Sequence, residues 1–261
     1  MDKNINYEYI SGINPVYSLI TRNAGRRKIY KLIIKQRRKK DSRIQNIIIE
    51  AEKKNIDIVE LEPARFDSIS IRDNNPQGIY AMVSPYSYGD LDDYLKNGLN
   101  KEDNSKSRLI ILDGVTDIGN FGSIIRNCHA FGFEGIVIPR RRSVAVNERV
   151  SKISAGALEE VKVFRVVNIV RTIKKLKEKG FWIYGTTLNI TPEVEYLDKV
   201  KFIFPMAIVL GSEDKGISRL VGSNCDIMIS IKLAGRMQSL NVSVASGIIL
   251  YKVQEQIEKA N

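Results

Sequence analysis

Five short apolar runs, each cut off by Gly, Pro, Asp or Ser, dominate the second half of the sequence. They are RLIILDGV from Arg108, GIVIP from Gly135, FWIYGTT from Phe181, AIVLGS from Ala207 and DIMISI from Asp226. A strand with no polar alternation is buried on both faces, and such strands belong to parallel sheets covered by helices. Helical patterns lie between the runs, over residues 122–131, 149–157 and 169–179. A last helix, residues 240–259, sets Val242, Ala245, Ile249 and Val253 on one side. The pattern predicts an α/β domain over residues 108–261.

The first 85 residues read as a smaller α/β unit. A helix starts at residues 14–21, strands are expected at 29–35, 56–61 and 79–83, and a short helix at 66–71. Asp41 is placed to cap a helix running to about residue 55, with Ile44, Ile47, Ile48 and Ala51 on its apolar side. Residues 86–107 are polar and weakly periodic and read as a linker, with one helical turn near 91–95. A chain of 261 residues accommodates both units with real cores.

Charge narrows the function. The formal net charge is +11, and the excess is concentrated between Arg22 and Arg43, where Asp41 is the single acid. Arg26, Arg27, Lys28, Arg37, Arg38 and Lys39 from this run, with Arg140 and Arg141 after the second apolar strand, are candidate phosphate contacts for a nucleic acid. A solvated helix face is the alternative for a charge run alone. No run of about 18 apolar residues occurs, and the N-terminus lacks the layout of a secretory signal. Two distant cysteines, Cys128 and Cys225, give no disulfide framework, so a cytoplasmic protein with no membrane association is expected.

Several chemistries find no support. The one histidine, His129, has no neighbouring ligands at metal spacing and no second histidine for triad hydrolysis, so no metal is expected. Neither a P-loop nor a dinucleotide-binding glycine fingerprint is present. What remains are three polar, glycine-containing segments at the carboxyl ends of apolar strands, where open α/β sheets bind ligands. They are residues 113–127, 208–218 and 229–245. Each alone reads equally as a turn with an ordinary helix cap.

In order, NFGSIIRN, IVLGSEDKG and IKLAGRMQSLNVSVA resemble the three motifs of SpoU-type (TrmH-like) RNA ribose methyltransferases, over roughly residue 108 to the C-terminus. The N-terminal part is similar to the L30e-like RNA-binding domain attached to bacterial 23S rRNA guanosine 2′-O-methyltransferases. It departs from that pattern at Pro76, where a histidine is usual, and Lys232 stands where a proline is more common.

The resemblance implies a SPOUT fold, a parallel sheet with a deep trefoil knot, and S-adenosylmethionine as methyl donor. By position, Thr186, Gly211, Ile231 and Leu240 would hold the donor. Arg126, Asn120, Glu213, Ser239 and Asn241 would be the catalytic polar set, with Asn120 and Glu213 orienting Arg126. It further implies a homodimer that packs the last helix, and 23S rRNA as substrate. A tRNA or another rRNA nucleotide, including the antibiotic-resistance type, is the alternative within the class. A non-catalytic RNA-binding or ribosome assembly protein is the alternative outside it, and the intact motifs argue against it.

Overall fold

The computed structural model describes residues 6–23, 25–69, 75–98, 107–235 and 239–260. The chain divides into two compact units, one of residues 1–87 with 146–160, the other of residues 88–145 with 161–261.

The first unit is built on a four-stranded sheet. Its elements are β1 (Glu8–Ser11), α1 (Ile13–Arg22), β2 (Ile29–Lys35), α2 (Ser42–Lys53), β3 (Asp57–Leu61), α3 (Pro63–Ile69) and β4 (Ile79–Val83). The strand order is β1-β4-β2-β3; β4 is antiparallel to both neighbours, and β2 and β3 are parallel with α2 as their crossover. Successive side chains of a strand point to opposite faces. Leu32 and Ile34 of β2 accordingly join the core formed with α1 and α2, whereas Ile33 packs with Phe66 and Tyr80 on the other side. Asp41 caps α2 by accepting from Arg43 N (3.0 Å), and Ile44, Ile47, Ile48 and Ala51 are buried as their spacing predicts. Residue 71, the expected end of α3, lies outside the described residues.

Two boundaries differ from the sequence reading. Residues 146–160 belong to the first unit. Glu148 accepts from Tyr9 N (2.9 Å), and Arg26 donates to the carbonyls of Leu158 (2.9 Å) and Glu160 (3.2 Å). Gly156, at φ 98°, lies so close to α1 that a Cβ there would collide with Ser18. Contacts spanning more than 130 residues leave no local pattern to read. The expected linker also shrinks. Leu91, Tyr94 and Leu95, in and just after the short helix α4 (Leu91–Asp93), are buried in the core of the second unit. Gly89 N donates to Val163 O (2.9 Å), and residues 99–106 lie outside the described residues.

The second unit holds seven parallel strands. In chain order come β5 (Arg108–Asp113), α5 (Ile118–Ala130) and β6 (Gly135–Pro139). α6 (Glu148–Ile153) lies in the inserted segment of the first unit. Then follow β7 (Lys162–Val166), α7 (Ile169–Glu178), β8 (Trp182–Thr186), β9 (Val194–Tyr196), β10 (Met206–Gly211), α8 (Arg219–Gly222), β11 (Ile227–Ser230) and α9 (Val242–Ala260).

The sheet order is β7-β6-β5-β10-β8-β11-β9. β10 is inserted between β5 and β8, paired in parallel with both, and buried along its whole length. One face of the sheet, with Leu109, Ile111, Val137, Ala207 and Val209, packs against α4, α7 and α8. By alternation Ile110, Leu112, Ile208 and Leu210 point to the other face. α5 and α9 pack together, and α9 also lies against β10. β7 and β9 were missed in the sequence. β7 (KVFRV) is an edge strand interrupted by charge, and β9 has three residues.

Candidate active site

With all seven strands parallel, their carboxyl ends share one edge, and the three polar segments follow β5, β10 and β11 there. After β5, Asp117 accepts from Asn120 N (2.7 Å) and starts α5, which fixes Asn120 in the first helical turn. After β10, Ser212 and Gly216 exchange two backbone hydrogen bonds, Ser212 N to Gly216 O (3.2 Å) and Gly216 N to Ser212 O (2.8 Å). This tight loop carries Glu213. Gly211 is a glycine for the sake of the loop itself, because a Cβ there would come closer than 3.0 Å to the backbone of Gly216 and Ile217. After β11, Asn241 accepts from Ser243 N (2.9 Å) and Ser243 Oγ (2.6 Å) just ahead of α9.

The three loops meet in a closed triangle. Asn120 Nδ2 donates to Glu213 Oε1 (2.5 Å), and Asn241 Nδ2 donates to Glu213 Oε1 (2.8 Å) and to Asn120 Oδ1 (3.0 Å). Bonds to an ionised acceptor are the stronger kind. Among the described residues no donor bonds to the second oxygen, Glu213 Oε2, which can serve a ligand.

Beside the triangle lies a pocket of about 700 Å3, part of it open to solvent. Thr186, Gly211, Ile231 and Leu240, the four residues singled out for a donor, all line it, together with Glu213 and Ser239. Its walls are mostly apolar side chains, among them Leu210, Ile229, Leu233 and Ile249, with Leu197 from outside the three polar segments. Thr186 Oγ1 donates to Val209 O (3.1 Å) and so ties the pocket wall to β10.

Arg126 is placed differently from expectation. It stands six residues after Asn120 on α5, about 120° around a helix of 3.6 residues per turn. Among the described residues neither Asn120 nor Glu213 bonds to it; they bond to each other and to Asn241. Its guanidinium is exposed and makes no hydrogen bond to a described residue. The residue on the same stripe as Asn120 is Asn127, two turns on. Its Nδ2 donates to Ser243 O (2.9 Å) and Ser246 Oγ (2.8 Å), which locks α5 to α9. That seven-residue spacing was the available sequence signal.

The basic candidates separate into two groups. Arg27 is corrected from phosphate contact to internal ion. Its side chain is 0% exposed, donates to Glu8 (2.5 Å) and Ser84 O (3.2 Å), and lies 4.0 Å from Glu159. Arg26 is likewise spent on backbone carbonyls of residues 158 and 160. Lys28, Arg37, Arg38, Lys39, Arg140 and Arg141 are exposed. Arg38 pairs with Asp41 (3.0 Å), Lys39 with Glu60, and Lys28 lies over the Tyr30 ring (5.6 Å).

Known proteins agree with this architecture. Residues 107–251 match the SpoU rRNA Methylase family, and residues 9–89 match the family described as RNA 2′-O ribose methyltransferase substrate binding. A Staphylococcus aureus (strain MSSA476) protein, whose name places it in the TrmH family of tRNA/rRNA methyltransferases, is 40% identical over 226 residues. That alignment spans 86% of this chain and 88% of the relative. Bacillus subtilis (strain 168) YacO, named in the same way, is 37% identical over 247 residues, 95% of each chain. The AdoMet-bound rRNA methyltransferase of Sinorhizobium meliloti superposes with a TM-score of 0.76 at 20% identity, over 97% of this chain and 88% of the other, and so shares the fold. The chain belongs to the SpoU/TrmH family of RNA methyltransferases.

Proposed function

We propose that the protein transfers a methyl group from S-adenosylmethionine to a ribose 2′-oxygen of RNA, with a guanosine of 23S rRNA as the target, in the cytoplasm. The observation that carries this reading is the Asn120–Glu213–Asn241 triangle at the rim of an apolar pocket, with Glu213 belonging to both.

The pocket suits the donor. Its aliphatic walls match an adenine ring, the hydroxyls of Thr186, Thr187 and Ser230 offer partners for a ribose, and the Glu213 carboxylate favours a cationic ligand. S-adenosylmethionine, when bound, supplies an electrophilic methyl group on a sulfonium. Thr186, Gly211, Ile231 and Leu240 would hold it. The triangle, closed by Asn241, keeps the Glu213 carboxylate at a fixed place, and Ser239 positions the substrate sugar. Arg126, whose guanidinium presents several N–H donors, stabilises the negative charge that grows on the 2′-oxygen as its proton leaves. Rigid placement of the reacting groups contributes about 7–11 kcal/mol to such a displacement.

The exposed cations Arg37, Arg38, Lys39, Arg140 and Arg141 supply sequence-independent attraction for the RNA backbone. A homodimer is supported by α9. Val244, Ile248 and Tyr251, spaced four and three residues apart, are 51%, 39% and 58% exposed on one side of the helix. A self-complementary apolar stripe of this kind suits a two-fold interface. The tRNA/rRNA wording in the relatives' names favours a tRNA target as second reading.

A map of 2′-O-methyl sites in total RNA from cells with and without the gene tests the substrate. A mark gained in 23S rRNA supports the first reading, and a mark gained in tRNA replaces it with the second.

A further inference from the structure

Helices α1 and α2 leave a groove on the first unit, lined by Ile13, Asn14 and Tyr17 on one side and by Arg43, Asn46 and Ile49 on the other. Tyr17 and Ile49 are 40% and 46% exposed, although Val16, Leu19, Ile44 and Ile47 of the same helices are fully buried. Among the described residues, the carboxamides of Asn14 and Asn46 make no hydrogen bond, and both are exposed. An aromatic face, an aliphatic face and two free amides around one cleft are the parts needed to hold a planar heterocycle bearing donors and acceptors.

Charge selects the class of ligand. Arg43 is both a wall of the groove and a member of the basic run, and its side chain is 64% exposed. It shares Asp41 (3.2 Å) with Arg38 (3.0 Å), so two guanidiniums face one carboxylate and a positive charge is left over. The acid in the groove, Glu50, is paired with Lys53 (2.7 Å), so the local sum of charges stays positive.

We propose that this groove binds one unpaired nucleotide of the RNA substrate. The base stacks on Tyr17 against Ile49, Asn14 and Asn46 hydrogen-bond its edge, and Arg43 holds an adjoining phosphate. Aromatic stacking is open to any base that has left its helix, whereas a duplex keeps its bases stacked inside. The groove therefore selects a single-stranded or looped element and distinguishes this unit from a purely electrostatic anchor. The inference rests on the RNA methyltransferase reading.

The test is fluorescence anisotropy of the full chain with a short labelled single-stranded RNA and with the same RNA annealed to its complement. Wild-type protein is expected to prefer the single strand. Tyr17→Ala should weaken single-strand binding about tenfold and leave the salt dependence unchanged, while Tyr17→Phe retains affinity. Arg43→Ala should reduce the slope of log K against log salt by about one. Unaltered single-strand affinity in Tyr17→Ala, or an equal loss on the duplex, overturns the groove and leaves the methyltransferase reading standing. Failure of the wild type to bind either RNA overturns both.

Discussion

Asn241 uses its whole side chain. Its oxygen caps the start of α9, and its amide nitrogen closes the triangle with Asn120 and Glu213. One residue thus couples the entry of a helix to the site, and the cap that a sequence reading assigns to it is also its route to function. Arg126 stands outside this network and outside the lining of the pocket. Arg126→Ala should therefore lower methyl transfer at least about a hundredfold while S-adenosylhomocysteine binds as before. Calorimetry beside a transfer assay checks this, and equal losses in both would contradict the role given to Arg126.

Away from the site, burial raises the carboxyl of Glu159 above the usual carboxylate range, against the opposing pull of Arg27. A folded-state pKa above the unfolded one means that the native protein binds the extra proton. Stability therefore falls as pH rises from the ordinary glutamate range through the raised value. Glu159→Gln should remove that fall, so its stability relative to wild type increases between acid and neutral pH. Urea unfolding at several pH values reads this directly, and a relative stability that decreases with pH would contradict it.

Among the elements, those with strong periodicity were legible. β2, β4, α2 and the central strands β5, β6, β8, β10 and β11 appear where apolar runs or helical stripes predict them. Local chemistry also placed the Asp41 cap and the three loops after β5, β10 and β11. The parts that escaped were short, edge-lying or held by distant partners. β9 has too few residues for a pattern, and β7 is a short edge strand interrupted by Lys162 and Arg165. Residues 91–95 look polar around three apolar side chains that are buried. The reason for Gly211 is a backbone fold-back that only three dimensions reveal. α9 presents its exposed stripe as an element property. Ile248→Asp places a charge in the middle of that stripe and should convert a dimer to a monomer. Light scattering after size exclusion measures the mass, and an unchanged dimer would show that the interface lies elsewhere.

For the whole molecule, the two units are not successive segments. The chain leaves the first unit at residue 87, returns for residues 146–160 and leaves again. Arg27, buried between Glu8 and Glu159, depends on that return. Removing residues 146–160 uncovers Arg27, takes Glu159 and Ser151 from its side, and strips from β1 and α1 the elements that pack on them, a loss set against a stability of only about 5–15 kcal/mol for a whole protein. A fragment of residues 1–87 should therefore lack cooperative thermal unfolding, which circular dichroism detects. A fragment as stable as the full chain would contradict this.

The claim on which the rest depends is that the pocket and the triangle together methylate a sugar hydroxyl. Labelled S-adenosylmethionine incubated with the protein and RNA, followed by alkaline hydrolysis, tests it most directly, because a methylated 2′-oxygen cannot assist cleavage of the adjacent phosphodiester. The label is predicted to appear in alkali-resistant dinucleotides. Label released in ordinary mononucleotides would place the methyl group on a base and contradict the account.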